Sequence, residues 1–374
     1  MHTVRIMPHG ALMFRDPRPS VVGGTAKSRD FPPPSVTAGT VRTLRAKQLD
    51  MAFTKSNAET LLSWSVLGPL LALDNKIFFP VPQDLQVRGG AVVPLRPLSV
   101  GEGSGVNLPH LLRPIGCTGN SFKPEPTGRF LAAGGVYDWL ADPPAAPPLS
   151  GDVWFDPSLD PRTRLKMNNT TETAEAGMLY TTEMVLLDRG RGFPGPSVFQ
   201  AGSLLVRFDQ PIDPAVHRIG GDGGIARFEA VADEDPWPSA PPDSLANALA
   251  AAKRVRMQLA TPAFFKAGWC PDWLDPAATP ENSPLRGSPP GASGHLELEL
   301  VGACVPRWRP LGGWDLLRGG PKPLRRLVPA GSVYFFQVKT GDPRVLASDL
   351  WLRSVCTNQQ ERDGFGLALW GVWS

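Results

Sequence analysis

The chain has 374 residues, with 38 Lys and Arg against 35 Asp and Glu and a formal net charge of +3. So small a charge on this length excludes a uniformly basic nucleic-acid coat, and any anion-binding surface must come from local clustering. Glycine and proline number 39 and 42, well above their average share, which predicts ordered loops between short elements and excludes a helical bundle.

Residues 3–6 predict a first strand. A long segment, 8–34, follows and carries Arg15, Arg18, Lys27 and Arg29 among glycines and prolines. Loops of that length inside a domain are commonly functional. Residues 35–44 predict a helix, with Thr37 as its N-cap and Val41 and Leu44 on one face. Strand, long basic loop and helix form the opening half of a ferredoxin-like unit. Residues 57–67 predict another helix and 75–80 a strand. Residues 87–126 give no assignment, and 141–151 read as a proline-rich connector. Arg162, Arg164 and Lys166 alternate, as do Met178, Tyr180, Thr182 and Met184, which predicts the strands of a hairpin.

The composition shifts at 189–196, which places a domain boundary there and gives two domains, 1–195 and 196–374. In the second half, 203–208, 224–231, 255–260, 295–301 and 331–339 predict strands, and 244–253 a helix. The two halves share this coarse plan, an α+β fold class with long Gly/Pro-rich insertions.

Cys117, Cys270, Cys304 and Cys356 show no CxxC spacing, so neither a zinc site nor a disulfide framework is expected. The reading is reduced thiols in a cytoplasmic protein. No apolar run approaches the length of a membrane span, and the first residues lack the apolar core of a secretion signal. No metal or organic cofactor is expected.

Several motifs carry chemistry. Phe14-Arg15-Asp16-Pro17-Arg18-Pro19 puts arginine forks on a rigid loop, which suits phosphate binding. The alternative is a loop arginine paired with Asp16. In Arg362-Asp363-Gly364-Phe365-Gly366-Leu367, the glycines allow backbone N–H groups close to a phosphate, and Phe365 could stack on a base. The alternative is a tight turn that packs the C-terminus. Gly220-Gly221-Asp222-Gly223-Gly224 has one carboxylate where two-metal chemistry needs a pair, so a glycine-rich turn is the better reading. Arg307-Trp308-Arg309 and Lys322-Pro323-Leu324-Arg325-Arg326 combine cations with apolar side chains, as single-strand RNA grooves do. None of His2, His9, His110, His217 and His295 sits in a catalytic or metal-binding spacing.

The ordered set of segments at 14–19, 31–43, 173–187, 218–229, 259–269, 312–338 and 363–373 resembles the third-subunit family of the type III-B CRISPR Cmr effector complex. That family belongs to the Cas-five-like group of the RAMP superfamily. The resemblance implies two ferredoxin-like, RRM-like domains with long loop and hairpin insertions. It implies a non-catalytic ribonucleoprotein subunit of antiviral defense that caps the repeat-derived 5′ handle of the crRNA. Its implied partners are the large palm-domain subunit and a RAMP backbone subunit, with target RNA met indirectly through the complex. Carried over by position, the RNA-binding candidates are Arg15, Arg18, Arg42, Gly220, Gly221, Arg325, Arg326, Lys339, Gly364, Phe365 and Gly366. Two other readings compete. One is a RAMP endoribonuclease that processes guide precursors, with His9 or His217 as general base. The other is a protein-interaction subunit whose basic loops meet acidic partners.

Overall fold

The computed structural model describes residues 1–17, 24–117, 122–142, 153–189, 200–292, 294–315, 319–357 and 362–374. The fold is mixed, with several antiparallel sheets and few helices. Contacts divide the chain into two units. The first comprises Met1–Asn75, Pro157–Asp235 and Pro310–Arg326; the second comprises Lys76–Asp156, Pro236–Arg309 and Leu327–Ser374. The division expected at 195/196 therefore does not describe these units, because strand pairing follows neighbours in space rather than order along the chain. The expected boundary itself falls at 190–199, outside the described residues.

In the first unit, Val66–Leu73, Gly202–Phe208, His2–Pro8, Ile225–Ala230 and Ala215–Arg218 lie side by side in that order, each antiparallel to its neighbour. The interior strand Gly202–Phe208 is buried along nearly its whole length, as its run of Leu204, Leu205, Val206 and Phe208 requires. The helix Pro34–Gln48 buries Ala38, Val41 and Leu44, each large apolar side chain contributing about 1.5–3 kcal/mol. Its first turn corrects one expectation. Pro33 occupies the cap position and Pro34 follows it, while the Thr37 hydroxyl lies inside the helix and donates to the Pro34 carbonyl at 3.0 Å. Proline suits this place because its missing N–H would have no helical partner there.

The second helix, Lys55–Ser63, is capped by Thr54. It ends earlier than expected because Val66–Leu73 is a strand, and Pro69 within it cannot extend a helix.

A long hairpin projects from this unit. Ser158–Asn168 pairs with Thr173–Leu186, and Thr25–Ala26 adds a short parallel strand. Arg162 and Arg164 share one face, as the alternation predicts. Lys166 falls where the register slips between Leu165 and Met167, and its ammonium meets Glu175 at 2.7 Å instead.

In the second unit, six strands run Arg286–Gly287, Leu296–Cys304, Val333–Gly341, Arg254–Leu259, Leu367–Val372 and Arg353–Ser354, all antiparallel. Lys76–Pro80, Phe130–Ala132 and Trp154–Phe155 form further antiparallel pairs. The unassigned 87–126 region holds the hairpin Leu85–Arg88 with Ala91–Pro94 and the short ladder Arg96–Pro97 with Ile115–Gly116. Trp373 is buried between strands, its indole N–H shared by the Val255 and Phe336 carbonyls at 3.1 and 3.0 Å.

A buried ionic network ties this unit together. Asp84 and Arg256 are both fully buried and meet at 2.6 Å. Asp84 also accepts from the Trp139 indole N–H at 2.8 Å, and Arg256 donates to the Trp139 carbonyl. Arg96 reaches Asp84 at 3.5 Å and pairs with Asp142. The Arg256 and Arg96 guanidinium groups lie 5.3 and 5.6 Å from the Trp139 ring centre, within cation–π range. Burial works against the Arg256 charge, and Asp84 is the largest influence restoring it.

Removing one partner of such a pair strands the other charge away from water, at a cost of about 3–5 kcal/mol. Asp84→Ala is therefore expected to lower the urea unfolding midpoint by that equivalent. Joint replacement by Asp84→Leu and Arg256→Met is expected to recover part of the loss. An Asp84→Ala midpoint equal to the parent's would show that the pair does not hold the unit together.

Candidate nucleic-acid interface

The long N-terminal segment is anchored before it becomes basic. Ala11, Leu12, Met13 and Phe14 are buried. Leu12 exchanges two backbone hydrogen bonds with Val185 at 2.8 and 2.7 Å. Ala11 and Met13 pack against Met184 at the base of the hairpin, with Ala26 and Leu186 alongside. After Phe14 the burial relaxes, with Asp16 and Pro17 partly covered. Arg15 is exposed and forms a bridge with Ser28. The Asp16 N–H donates to the Lys27 carbonyl at 3.0 Å, and the Arg29 N–H to the Phe14 carbonyl at 2.8 Å. The loop is thus held as two paired stretches, with Arg15 and Lys27 both exposed.

The glycine turn backs onto this stretch. The Gly221 N–H donates to the Met13 carbonyl at 2.8 Å. Gly220 has φ +71°, and a Cβ there would lie 2.5 Å from the Met13 carbonyl oxygen, so only glycine fits. Asp222 is claimed by Arg164 of the hairpin, which ties turn and hairpin together. Segment 310–326 belongs to the same unit. Arg29 donates to the Pro310 carbonyl, and Gly312 lies against Pro17. Arg325 and Arg326 are exposed. The first unit therefore gathers Arg15, Gly220, Gly221, Arg325 and Arg326 from three distant parts of the sequence. Arg18 lies outside the described residues.

Two candidates need correction. Arg42 is only 5 % exposed, and its Nε and Nη2 donate to the Trp64 carbonyl at 3.0 and 2.6 Å. It fastens its helix to the chain end of the next one, so its guanidinium is turned away from any phosphate. Phe365 is 1 % exposed and offers no free face to a base. Around it, Thr261 donates to the Gly364 carbonyl and Ser354 to the Phe365 carbonyl, both at 2.7 Å. The Gly366 N–H donates to the Pro262 carbonyl at 2.8 Å. At Gly366, φ is +70° and a Cβ would sit 2.6 Å from the Cys356 sulfur. The C-terminal glycines are thus a packed turn of the second unit. Lys339, also there, is exposed and 3.5 Å from Glu299.

Sequence pattern points to Trp308, yet Trp314 is the more exposed indole, at 60 % against 43 %. The signal in the sequence is the Gly312-Gly313 pair before it, which removes neighbouring bulk.

Among the described residues, no group of three or more His, Cys, Asp or Glu side chains is placed to hold a metal. His217 is held neutral-leaning by burial; its Nδ1 faces the Arg218 carbonyl at 3.0 Å and its Nε2 is buried. Burial, and then Asp272, push the Cys270 thiol up to about 12, which leaves it un-ionised and a poor nucleophile. No helix among the described residues is long and apolar enough to cross a membrane.

The turn can be tested directly. Gly223 has φ +74° but open space where a Cβ would go, so Gly223→Ala is expected to cost about 1–2 kcal/mol from the backbone alone. Gly220→Ala is expected to cost more, because its Cβ also meets Met13. Equal losses in urea unfolding would show that the turn does not press on the N-terminal stretch.

The comparisons with known proteins agree with this architecture. No curated protein matches the chain. Among solved structures, a chain of the Type III-B Cmr-beta complex bound to cognate target RNA shares 14 % identity at a TM-score of 0.52, covering 98 % of this chain and 96 % of that one. A chain of the same complex bound to cognate target RNA and AMPPnP shares 13 % identity at a TM-score of 0.49, covering 92 % and 87 %. The first of these likenesses shows a shared fold. The family described as CRISPR-associated protein (Cas_Cmr3) matches residues 4–373. The resemblance drawn from the sequence motifs is thus borne out, and the chain belongs to the CRISPR-associated Cas_Cmr3 family, that of the type III-B Cmr subunits.

Proposed function

We propose that this chain is a non-catalytic crRNA-binding subunit of a type III-B Cmr complex. It caps the repeat-derived 5′ handle of the guide and docks the large palm-domain subunit. The observation that carries this reading is the gathering, on one unit, of the paired basic loop with Arg15 and Lys27, the Gly220–Gly221 turn and the exposed Arg325 and Arg326. Guanidinium forks on a loop already held by backbone hydrogen bonds lose little entropy when they grip phosphates. Exposed backbone beside a glycine turn allows close approach of a sugar-phosphate chain. Single-stranded RNA is recognised by just such backbone contacts together with splayed bases.

Strand order supports the finer fold reading of two ferredoxin-like domains. Numbered within each unit, His2–Pro8, Val66–Leu73, Gly202–Phe208 and Ile225–Ala230 pair in the order second, third, first, fourth. Arg254–Leu259, Leu296–Cys304, Val333–Gly341 and Leu367–Val372 pair in the same order. The departures from the full pattern lie in the helices: among its described residues, the second unit has only the three-residue 3-10 helix Asp272–Leu274 between its first two strands. The first unit has the strand Ala215–Arg218 where a second helix would stand, and the second unit has only the short Val345–Ser348 there.

Arg15→Ala and Arg326→Ala are expected to weaken binding of repeat-derived single-stranded RNA. For every phosphate that a substitution leaves without its cation, the log–log salt dependence is expected to flatten by about 0.7. Unchanged slopes and unchanged handle protection in the assembled complex would overturn the assignment. The purified chain is also expected to leave precursor RNA uncut. Cleavage abolished by His9→Ala would favour the endoribonuclease instead.

A further inference from the structure

Segment 310–326 carries a feature that the phosphate-binding reading does not use. Trp314–Asp315 and Gly320–Pro321 form a short antiparallel ladder, with Trp314 opposite Pro321. The Lys322 N–H donates to the Gly313 carbonyl at 2.9 Å, which extends the pairing. Trp314 is 60 % exposed, and Leu324 nearby is 64 % exposed. Exposing so much of an indole to water is unfavourable, and exposed apolar surface beside cations commonly marks a binding site.

The surroundings of the ring decide what kind of partner fits. Gly312, Gly313 and Gly320 carry no side chains, and the Lys322 stem lies beside Gly313, next to the indole. Cross-strand residues share a face of a ladder, so Trp314 and Pro321 together present a flat apolar surface. In sequence, 310–326 holds Arg318, Lys322, Arg325 and Arg326 against the single acid Asp315. Lys322, Arg325 and Arg326 are exposed. The segment also abuts the basic loop, through Gly312 on Pro17 and Arg29 on the Pro310 carbonyl. A flat indole amid positive charge matches an unpaired nucleobase with its phosphates, because any base offers a π face and the phosphates supply the negative charge. A protein partner would instead need an apolar pocket together with acidic neighbours.

We infer that Trp314 is a stacking platform for one unpaired base of a single-stranded RNA, with Lys322 facing a flanking phosphate. This rests on the RNA-binding reading above and adds to it a named base contact on a hairpin outside the basic loop.

The test couples protein to RNA. The full chain is titrated against 5′-fluorescein-labelled single-stranded RNAs of repeat sequence, each with one abasic nucleotide at a different position. For the parent protein, one abasic position is expected to weaken binding by about 5- to 150-fold, the range for loss of a single base stack. In Trp314→Ala that position is expected to make no difference, while Trp314→Phe keeps the effect and Trp314→Leu loses it. Urea unfolding of each variant confirms that it is folded. Binding that shows no position-specific coupling to Trp314 overturns this inference and leaves the RNA-binding reading standing. No RNA binding by the parent chain overturns both. Loss of a protein subunit from the complex in Trp314→Ala, with RNA coupling absent, would make the hairpin a protein contact and also overturn the inference.

Discussion

The second unit depends on the meeting of Asp84 and Arg256 away from water. Neither charge is tolerable alone in that setting. Their partners are drawn from well-separated stretches of sequence: a loop after Lys76–Pro80, the helix Ala133–Leu140 and the central strand Arg254–Leu259. The network extends to the last residue, whose N–H donates to Asp142 at 2.7 Å. A hydrophobic contact tolerates sliding, whereas a buried carboxylate with an indole donor on one oxygen and a guanidinium on the other does not. The pair thus ties the positions of the three elements that supply it to one another, in addition to whatever stability it contributes.

On the proposed RNA-binding reading, the first unit meets a different problem. A surface that grips a polyanion must hold like charges near one another without collapsing or drifting. Here the charged stretch is bracketed by buried apolar residues, Ala11 to Phe14, and by reciprocal backbone pairing with residues 27–29. On that reading, the pairing of residues 14–16 with 27–29 orders this stretch during folding rather than when RNA arrives. The Arg164–Asp222 pair adds a tether between hairpin and glycine turn. Because both side chains are about one-third exposed, solvent screens that tether and it contributes orientation more than stability.

Much of the fold was legible as local pattern. The strands at 203–208, 255–260 and 331–339 and the helices at 35–44 and 244–253 have structural counterparts displaced by a few residues, because alternation and helical period are properties of short windows. What the windows could not reveal was assembly. Val66–Leu73 was hidden in an apolar run that reads equally as helix or strand, and the excursion of 310–326 into the first unit leaves no trace in composition. The site divides the same way. Arg15 and Gly220 belong to motifs whose geometry their own residue types demand. Arg42 and Phe365 looked equally suitable by residue type, but burial is set by what folds over them, and that information lies far away in the sequence. The motif resemblance supplied the family, whose order of segments no periodicity encodes.

The interleaving of the two units also bears on how the chain is made. The strand His2–Pro8 is flanked by Gly202–Phe208 and Ile225–Ala230, so its neighbours on both sides leave the ribosome about 200 residues after it does. At about 5–20 residues per second, the first strand and its helix wait on the order of ten seconds or more before either flank exists. The helix Pro34–Gln48 can form early, but its apolar stripe of Ala38, Val41 and Leu44 has no completed sheet to cover it during that interval. The nascent chain therefore carries that uncovered stripe through roughly the middle two-fifths of its synthesis. A cell that makes it must either shelter that stripe with a chaperone or keep the rate of translation ahead of the rate of aggregation.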